Sequence, residues 1–74
     1  MKTLTFVELP IYNGKWGVLS LINMNEVTII TPEKNWTRIF LKNNTDFLVT
    51  ESYDKTMDLI DEQVNIDIET STYI

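Results

Sequence analysis

Residues 36–53 read WTRIFLKNNTDFLVTESY, and this stretch decides the fold of the chain. It begins with an alternating apolar segment, turns at Asn43-Asn44-Thr45, and returns through a second apolar segment that ends at Thr50. Alternation with a period of two, bounded by asparagines, is typical of a half-buried antiparallel hairpin. Ser52 then stands where a helix N-cap is expected, immediately before helical periodicity begins. A hairpin followed by a capped helix predicts an α+β domain.

Two registers of this hairpin are compatible with the sequence. A two-residue turn would pair Phe40 with Phe47, whereas a three-residue turn would pair Leu41 with Phe47 and Lys42 with Asp46. We prefer the second register, because it places apolar side chains on one face of the sheet and a charge pair on the other.

The helix is expected over residues 53–63 and is amphipathic. Its apolar side chains recur at helical spacing: Tyr53, Met57, Ile60 and Val64, with Leu59 beside them. Its acidic side chains lie away from that stripe: Asp54, Asp58, Asp61 and Glu62. The stripe should pack on the sheet. The apolar period then changes to two, so we expect residues 65–74 to form an irregular tail or an edge strand.

The N-terminal half supplies the remaining strands. Pro10 is expected to end the first strand or to place it at an edge of the sheet, because proline cannot donate to a ladder. Asn13-Gly14-Lys15 is typical of a tight turn. Asn23-Met24-Asn25 predicts a bend, and residues 31–35 predict a further turn. The sequence therefore predicts a single domain over residues 1–74. It should hold a curved antiparallel sheet of about four strands, at about 3–9, 17–31, 36–42 and 46–50.

Charge is distributed unevenly along the chain, whose formal net charge is −5. Residues 1–45 carry five basic and three acidic side chains, whereas residues 46–74 carry one basic and eight acidic side chains. Such asymmetry can reflect a solvated acidic surface or point to a partner. The absence of alanine and the single arginine indicate an AT-rich bacterial or viral genome.

Composition argues against catalysis. The chain has no histidine and no cysteine, which removes the commonest general base, the commonest thiol nucleophile and the usual transition-metal ligands. Gly14 and Gly17 match no phosphate-binding loop, and the helical carboxylates do not match a calcium-binding loop. We therefore expect a protein that is not an enzyme, with no cofactor, no metal and no small-molecule substrate.

Targeting signals are not evident in the sequence. Residues 1–8 alternate and never form the apolar core of a signal peptide. No apolar run approaches the about 20 residues that a membrane helix needs. The expected location is the cytoplasm of a bacterium or of a phage-infected host cell, with no membrane partner.

Several segments together resemble a known family: Asn13-Gly14, then residues 21–27, 37–44 and 49–52, followed by the helix. Over about residues 4–64 the chain resembles the small FlbD/SwrD-like motility proteins of bacteria and similar short proteins of phages. The resemblance implies a strand–strand–strand–helix layout and a role without catalysis. It transfers no catalytic residue to this chain.

Three functions are compatible with these features. The leading hypothesis is a non-catalytic protein-binding, regulatory or structural module that associates with itself, because short sheets expose edges that invite strand addition. Its basic sheet half would then meet the acidic helix of a neighbour. The expected contact residues are aromatic or basic: Tyr12, Trp16, Trp36, Arg38 and Phe40.

The other two functions involve different surfaces. A phage-encoded inhibitor of a host or defence protein would act through the acidic helix face, which could imitate a row of phosphates. A single-stranded nucleic-acid-binding protein would stack bases on Trp16 and Trp36. The negative net charge disfavours the nucleic-acid hypothesis.

Overall fold

The computed structural model describes the backbone of residues 5–72 and the side chains of residues 5–64. Within them lie five strands, a short 3-10 helix and one α-helix. In chain order these are β1 (Phe6–Tyr12), β2 (Gly17–Asn23), the 3-10 helix (Met24–Glu26), β3 (Val27–Glu33), β4 (Trp36–Leu41), β5 (Asp46–Val49) and α1 (Tyr53–Thr72). The strands form one antiparallel sheet in the order β2-β1-β5-β4-β3. The predicted α+β class is confirmed, with five strands in place of four.

The extra strand arises where one strand was expected over residues 17–31. The 3-10 helix interrupts it at the predicted bend, and the Asn23 side chain accepts a hydrogen bond from the Asn25 backbone. β2 and β3 lie at opposite edges, which would be about 19 Å apart in a flat sheet of this width. Since Met24–Glu26 alone joins them, the sheet is strongly curved. Its two edges approach each other at this turn but are not hydrogen-bonded neighbours.

Both prolines lie inside strands, contrary to the expectation that they mark strand ends. β1 continues through Pro10 to Tyr12 and lies between β2 and β5, so Pro10 neither ends the strand nor places it at an edge. The odd-numbered residues of β1 exchange backbone hydrogen bonds with β2. The backbone groups of Pro10, an even-numbered residue, therefore point toward β5. There its carbonyl accepts from the Thr50 backbone at 2.9 Å. Pro32 is tolerated because β3 is an edge strand, so the turn predicted over 31–35 shrinks to Lys34-Asn35.

The register preferred for the β4–β5 hairpin is wrong by two residues. Ile39, not Leu41, lies opposite Phe47. The loop does contain three residues, but they are 42–44, since the Leu41 backbone donates to the Thr45 carbonyl at 2.9 Å. The third loop position is left-handed, with a φ of 70° at Asn44. Asparagine tolerates that conformation and β-branched threonine does not. Because the shift is even, the apolar face is the one predicted.

The core lies between the sheet and α1. Its buried apolar side chains come from three strands and the helix: Val7, Leu9, Ile39, Val49 and Ile60. Ser52 caps α1 as predicted, because its Oγ accepts from the Lys55 backbone at 3.2 Å. The helix continues to Thr72, so residues 65–72 are helical and do not form the expected tail or strand. Residues 73–74 of that prediction lie outside the described residues.

Candidate functional site

Among the described residues, α1 packs on one face of the sheet and no element covers the other, which we call the outer face. The alternation along β1 shows the difference, because Val7 and Leu9 are fully buried while Phe6 and Glu8 are exposed. Cross-strand pairing assigns five exposed large apolar side chains to the outer face: Phe6, Tyr12, Leu19, Leu21 and Ile29. Leu19 and Leu21 are neighbours on the edge strand β2, and adjacent exposed apolar side chains of this kind are the usual mark of an interaction surface.

Two of the aromatic residues singled out from the sequence meet on this face. The rings of Tyr12 on β1 and Trp36 on β4 have centroids 4.9 Å apart and are tilted by 52°. The pair spans β5, whose Leu48 lies between the two strands and also belongs to the outer face. Trp36 and Leu48 line a shallow, open depression together with the turn residues 33–35.

Arg38 lies on the same face and is engaged by two carboxylates. Its Nε and Nη2 donate to Glu33 at 2.7 and 2.9 Å, and its Nη1 donates to Asp46. These hydrogen bonds raise the pKa of Arg38, and the hydrogen bond from Arg38 lowers the pKa of Glu33. The sequence predicted that Asp46 pairs with Lys42. In the structure Asp46 pairs with Arg38 instead. The only arginine of the chain is neutralised within the sheet.

The other predicted contact residues are separated from this pair. Phe40 lies opposite Ile29 on the outer face and is half-buried. Trp16 belongs to the β1–β2 turn and is 65% exposed. The lysines of residues 5–45, which the structure describes, also lie at turns between strands and are exposed: Lys15, Lys34 and Lys42. The expected basic sheet half is therefore a set of basic turns around an apolar face.

The acidic face of α1 is placed as the sequence predicts. Its four carboxylates are all exposed: Asp54, Asp58, Asp61 and Glu62. The ion pairs found among the described residues involve Arg38 and none of these four side chains. No cluster of three potential metal ligands is found in the described part of the chain. The acidic face is thus free to meet a positively charged surface.

The sequence predicted a strand where β2 lies, but its place at an uncharged edge of the sheet was missed. β2 is an edge strand of seven residues, GVLSLIN, with neither charge nor proline. The other edge strand, β3, carries Pro32, Glu33 and a bulge between Val27 and Ile29. Proteins ordinarily protect sheet edges with such devices. The signal was present in the sequence, because residues 16–25 form its longest uncharged run.

Two buried or bridging polar residues of α1 were also missed. Thr56 is fully buried, and its hydroxyl donates to the Thr37 hydroxyl at 3.1 Å. Gln63 bonds the backbone of Glu8. Both residues share the helix face of Ile60, at spacings of four and three. A polar residue on an apolar stripe was the available signal.

Comparison of the chain with protein-family models, curated proteins and solved structures finds no match. The resemblance to FlbD/SwrD-like proteins therefore stays a prediction. No helix in the described part of the chain combines the length with the apolar character that crossing a membrane requires.

Proposed function

We propose that this chain is a non-catalytic protein-binding module that associates with itself through its sheet. The observation that carries the proposal is the uncovered outer face. There Leu19 and Leu21 are 66% and 63% exposed on an edge strand. Apolar side chains exposed to this extent side by side gain free energy when a second copy brings apolar side chains against them.

The size of the chain supports the same proposal. A domain of this length buries only about 60% of the surface that its unfolded form exposes. Its core rests on a few fully buried apolar side chains, and the sequence has no cysteine that could add a disulfide. Small domains without such cross-links often gain stability by association. The absence of histidine and cysteine supports a role without catalysis.

Light scattering after size-exclusion chromatography tests the proposal. The full chain should have at least the mass of a dimer at tens of micromolar. A mass equal to that of the monomer at both low and high salt would remove self-association from the proposal.

The same measurement distinguishes two modes of association. Contact between basic turns and an acidic helix should weaken at high salt, because exposed charges are screened. Contact between apolar sheet surfaces should persist or strengthen. We expect the second result, because Arg38 is already paired with Glu33 and Asp46.

A second candidate function is inhibition of a host or defence protein through the acidic face of α1. The exposure of its four carboxylates and their lack of ion pairs in the described structure favour it. Neutralising all four as Asn and Gln should abolish binding to a basic partner and leave the far-ultraviolet circular dichroism unchanged. Unchanged binding would eliminate this function.

Binding of single-stranded nucleic acid has less support. Such surfaces combine stacking platforms with cations that track the phosphates, and here the arginine beside Trp36 is occupied by carboxylates. Tryptophan fluorescence that does not respond to oligonucleotides at low salt would eliminate the hypothesis.

A further inference from the structure

The outward backbone groups of β2 are available for pairing. Two hydrogen bonds fix the ladder pattern between β1 and β2, from Met24 to the Thr5 carbonyl and from Asn13 to the Trp16 carbonyl. Because bonded pairs alternate in an antiparallel ladder, the even-numbered residues of β2 face β1. The N–H and C=O groups of Leu19 and Leu21 therefore point away from the sheet, where no described strand pairs with them.

The two edges of the sheet differ in their protection. β2 presents an unbroken row of donors and acceptors, and no charge or proline interrupts it. On β3, Pro32 lacks a donor, Glu33 adds a charge, and a bulge displaces the ladder next to Val27. Strand addition is thus open at β2 and obstructed at β3.

We propose that β2 pairs antiparallel with β2 of a second copy, about a two-fold axis at Ser20. This inference rests on the proposed self-association and identifies its interface. In this register the two seven-residue strands overlap completely. Leu19 of each copy lies opposite Leu21 of the other, and Gly17 lies opposite Asn23. The two five-stranded sheets become one continuous sheet.

The self-complementarity of this register argues for a second copy as the occupant. An isologous interface places the same strand on both sides, and here it brings leucine against leucine with no charge in either strand. Phe6 adjoins Leu21 on the outer face, because it lies opposite Asn23 on β1. Each copy thus adds an apolar side chain next to the leucine pairs.

Two further features suit a closed dimer. The helix, with its four exposed carboxylates, packs chiefly on β1, β3 and β4, so the acidic faces of two copies do not meet at β2. The obstructed edge at β3 then prevents further strands from adding. Association therefore stops at two copies and does not continue as a fibre.

A single engineered cysteine tests the register, because the sequence contains no native cysteine. With Ser20→Cys, the two thiols lie on the axis in a non-hydrogen-bonded pair, where Cα atoms are about 4.5 Å apart. That spacing permits a disulfide. Diamide, which takes up the two electrons and two protons released, should convert most of the protein to a covalent dimer.

Val18→Cys is the matched control for the register. It lies on the same strand and the same face as Ser20, but it is displaced by four residues, about 13 Å, from its own copy in the proposed dimer. It should form little covalent dimer under the same conditions. A cross-link at Val18→Cys together with none at Ser20→Cys would overturn the register.

A pair of charge substitutions tests the surface itself. Leu21→Lys introduces a charge on β2, and Ile29→Lys introduces the same charge on β3, where Ile29 is 56% exposed. Both sites are exposed, so both variants should keep the circular dichroism of the parent. We expect Leu21→Lys to weaken the dimer at least tenfold in sedimentation equilibrium and Ile29→Lys to leave it intact.

The outcomes separate the two proposals. A parent chain that remains monomeric overturns both the proposed self-association and this interface. A dimer that withstands Leu21→Lys and dissociates with Ile29→Lys overturns only the β2 interface and leaves self-association standing. A dimer lost with Leu21→Lys and cross-linked through Ser20→Cys supports both.

Discussion

The side-chain amide of Gln63 on α1 pairs with the main chain of Glu8 on β1 in the way that a neighbouring strand would. Its Oε1 accepts from the Glu8 nitrogen at 2.8 Å, and its Nε2 donates to the Glu8 carbonyl at 3.0 Å. β5 pairs with β1 only at Ile11. Gln63 therefore makes the two hydrogen bonds to Glu8 that a longer β5 would make. These bonds attach the helix to the sheet.

This contact predicts a measurable loss of stability in Gln63→Ala. The backbone N–H and C=O of Glu8 lie near the surface, so in the variant they would form hydrogen bonds with water. The free energy of unfolding should therefore fall by only about 1 kcal/mol. Urea denaturation of the two proteins measures the difference. Glu62→Ala is the matched control, because it shortens an exposed neighbour and should change stability by no more than about 0.5 kcal/mol. Equal losses in the two variants would contradict the role given to Gln63.

The buried hydroxyls of Thr37 and Thr56 predict a coupled effect. Thr37 donates to the Glu51 carbonyl at 3.0 Å and accepts from Thr56, which lies 3.4 Å from the same carbonyl. Replacing either residue with valine should cost about 1–2 kcal/mol. Thr37→Val should cost more, because it removes both an acceptor and a donor.

The double variant tests whether these hydroxyls act as one unit. With both hydroxyls replaced, only the Glu51 carbonyl remains without its partner, so the double variant should lose less than the sum of the single losses. A double-mutant cycle by urea denaturation measures this difference. Strict additivity would show that the two hydroxyls are energetically independent.

The ion pair of Arg38 with Glu33 predicts a dependence on pH. The pKa of Glu33 lies below its ordinary value of 4.5 in the folded protein, chiefly because Arg38 donates hydrogen bonds to its carboxylate. A carboxyl group whose pKa is lower in the folded than in the unfolded state stabilises the fold at a pH above its unfolded-state pKa. That stability is lost as the pH falls through the folded-state pKa. The parent should therefore be more stable than Glu33→Gln at neutral pH. The difference should shrink as the pH falls below 4.5 and disappear once the pH is below the pKa of Glu33 in the folded protein.

Denaturation at a series of pH values checks this expectation, with Glu62→Gln as the control of equal chemistry on the exposed face of α1. The control should show a smaller dependence of its stability difference on pH. A gap between the parent and Glu33→Gln that stays constant down to acidic pH would contradict the assignment.

Local chemistry explains why much of the fold was predictable. The asparagine turns, the Ser52 cap and the apolar alternation each depend on residues close together in the sequence, and each is found in the structure. The observed register of the β4–β5 hairpin could also have been predicted from the sequence. A three-residue loop needs a left-handed residue at its third position, and Asn44 suits that conformation better than Thr45.

Other features depend on distant contacts that no local pattern encodes. The pairing of Gln63 with Glu8 exists because β5 ends where it does relative to β1. The asparagines at 23–25 predicted a bend, but the placement of the two resulting strands at opposite edges depends on the whole sheet. The helix also continues past residue 64 although Ile66 and Ile68 alternate with acidic residues. Helix propagation from a capped, packed start outweighs that short alternation.

Lys34 offers a prediction of increased stability. It has a φ of 56° in the two-residue turn between β3 and β4, a conformation that costs an L-residue roughly 1–2 kcal/mol. Glycine adopts it freely but loses more backbone entropy on folding. Lys34→Gly should therefore raise the free energy of unfolding by about 0.5–1 kcal/mol.

Lys42→Gly is the control, because it removes the same charge from another exposed turn. Lys42 is not among the residues with positive φ, so glycine there brings only its entropic cost and should lower stability by about 0.5–1 kcal/mol. Thermal and urea denaturation of the two variants should thus shift in opposite directions. A shift in the same direction would show that charge, and not backbone conformation, governs the stability of these turns.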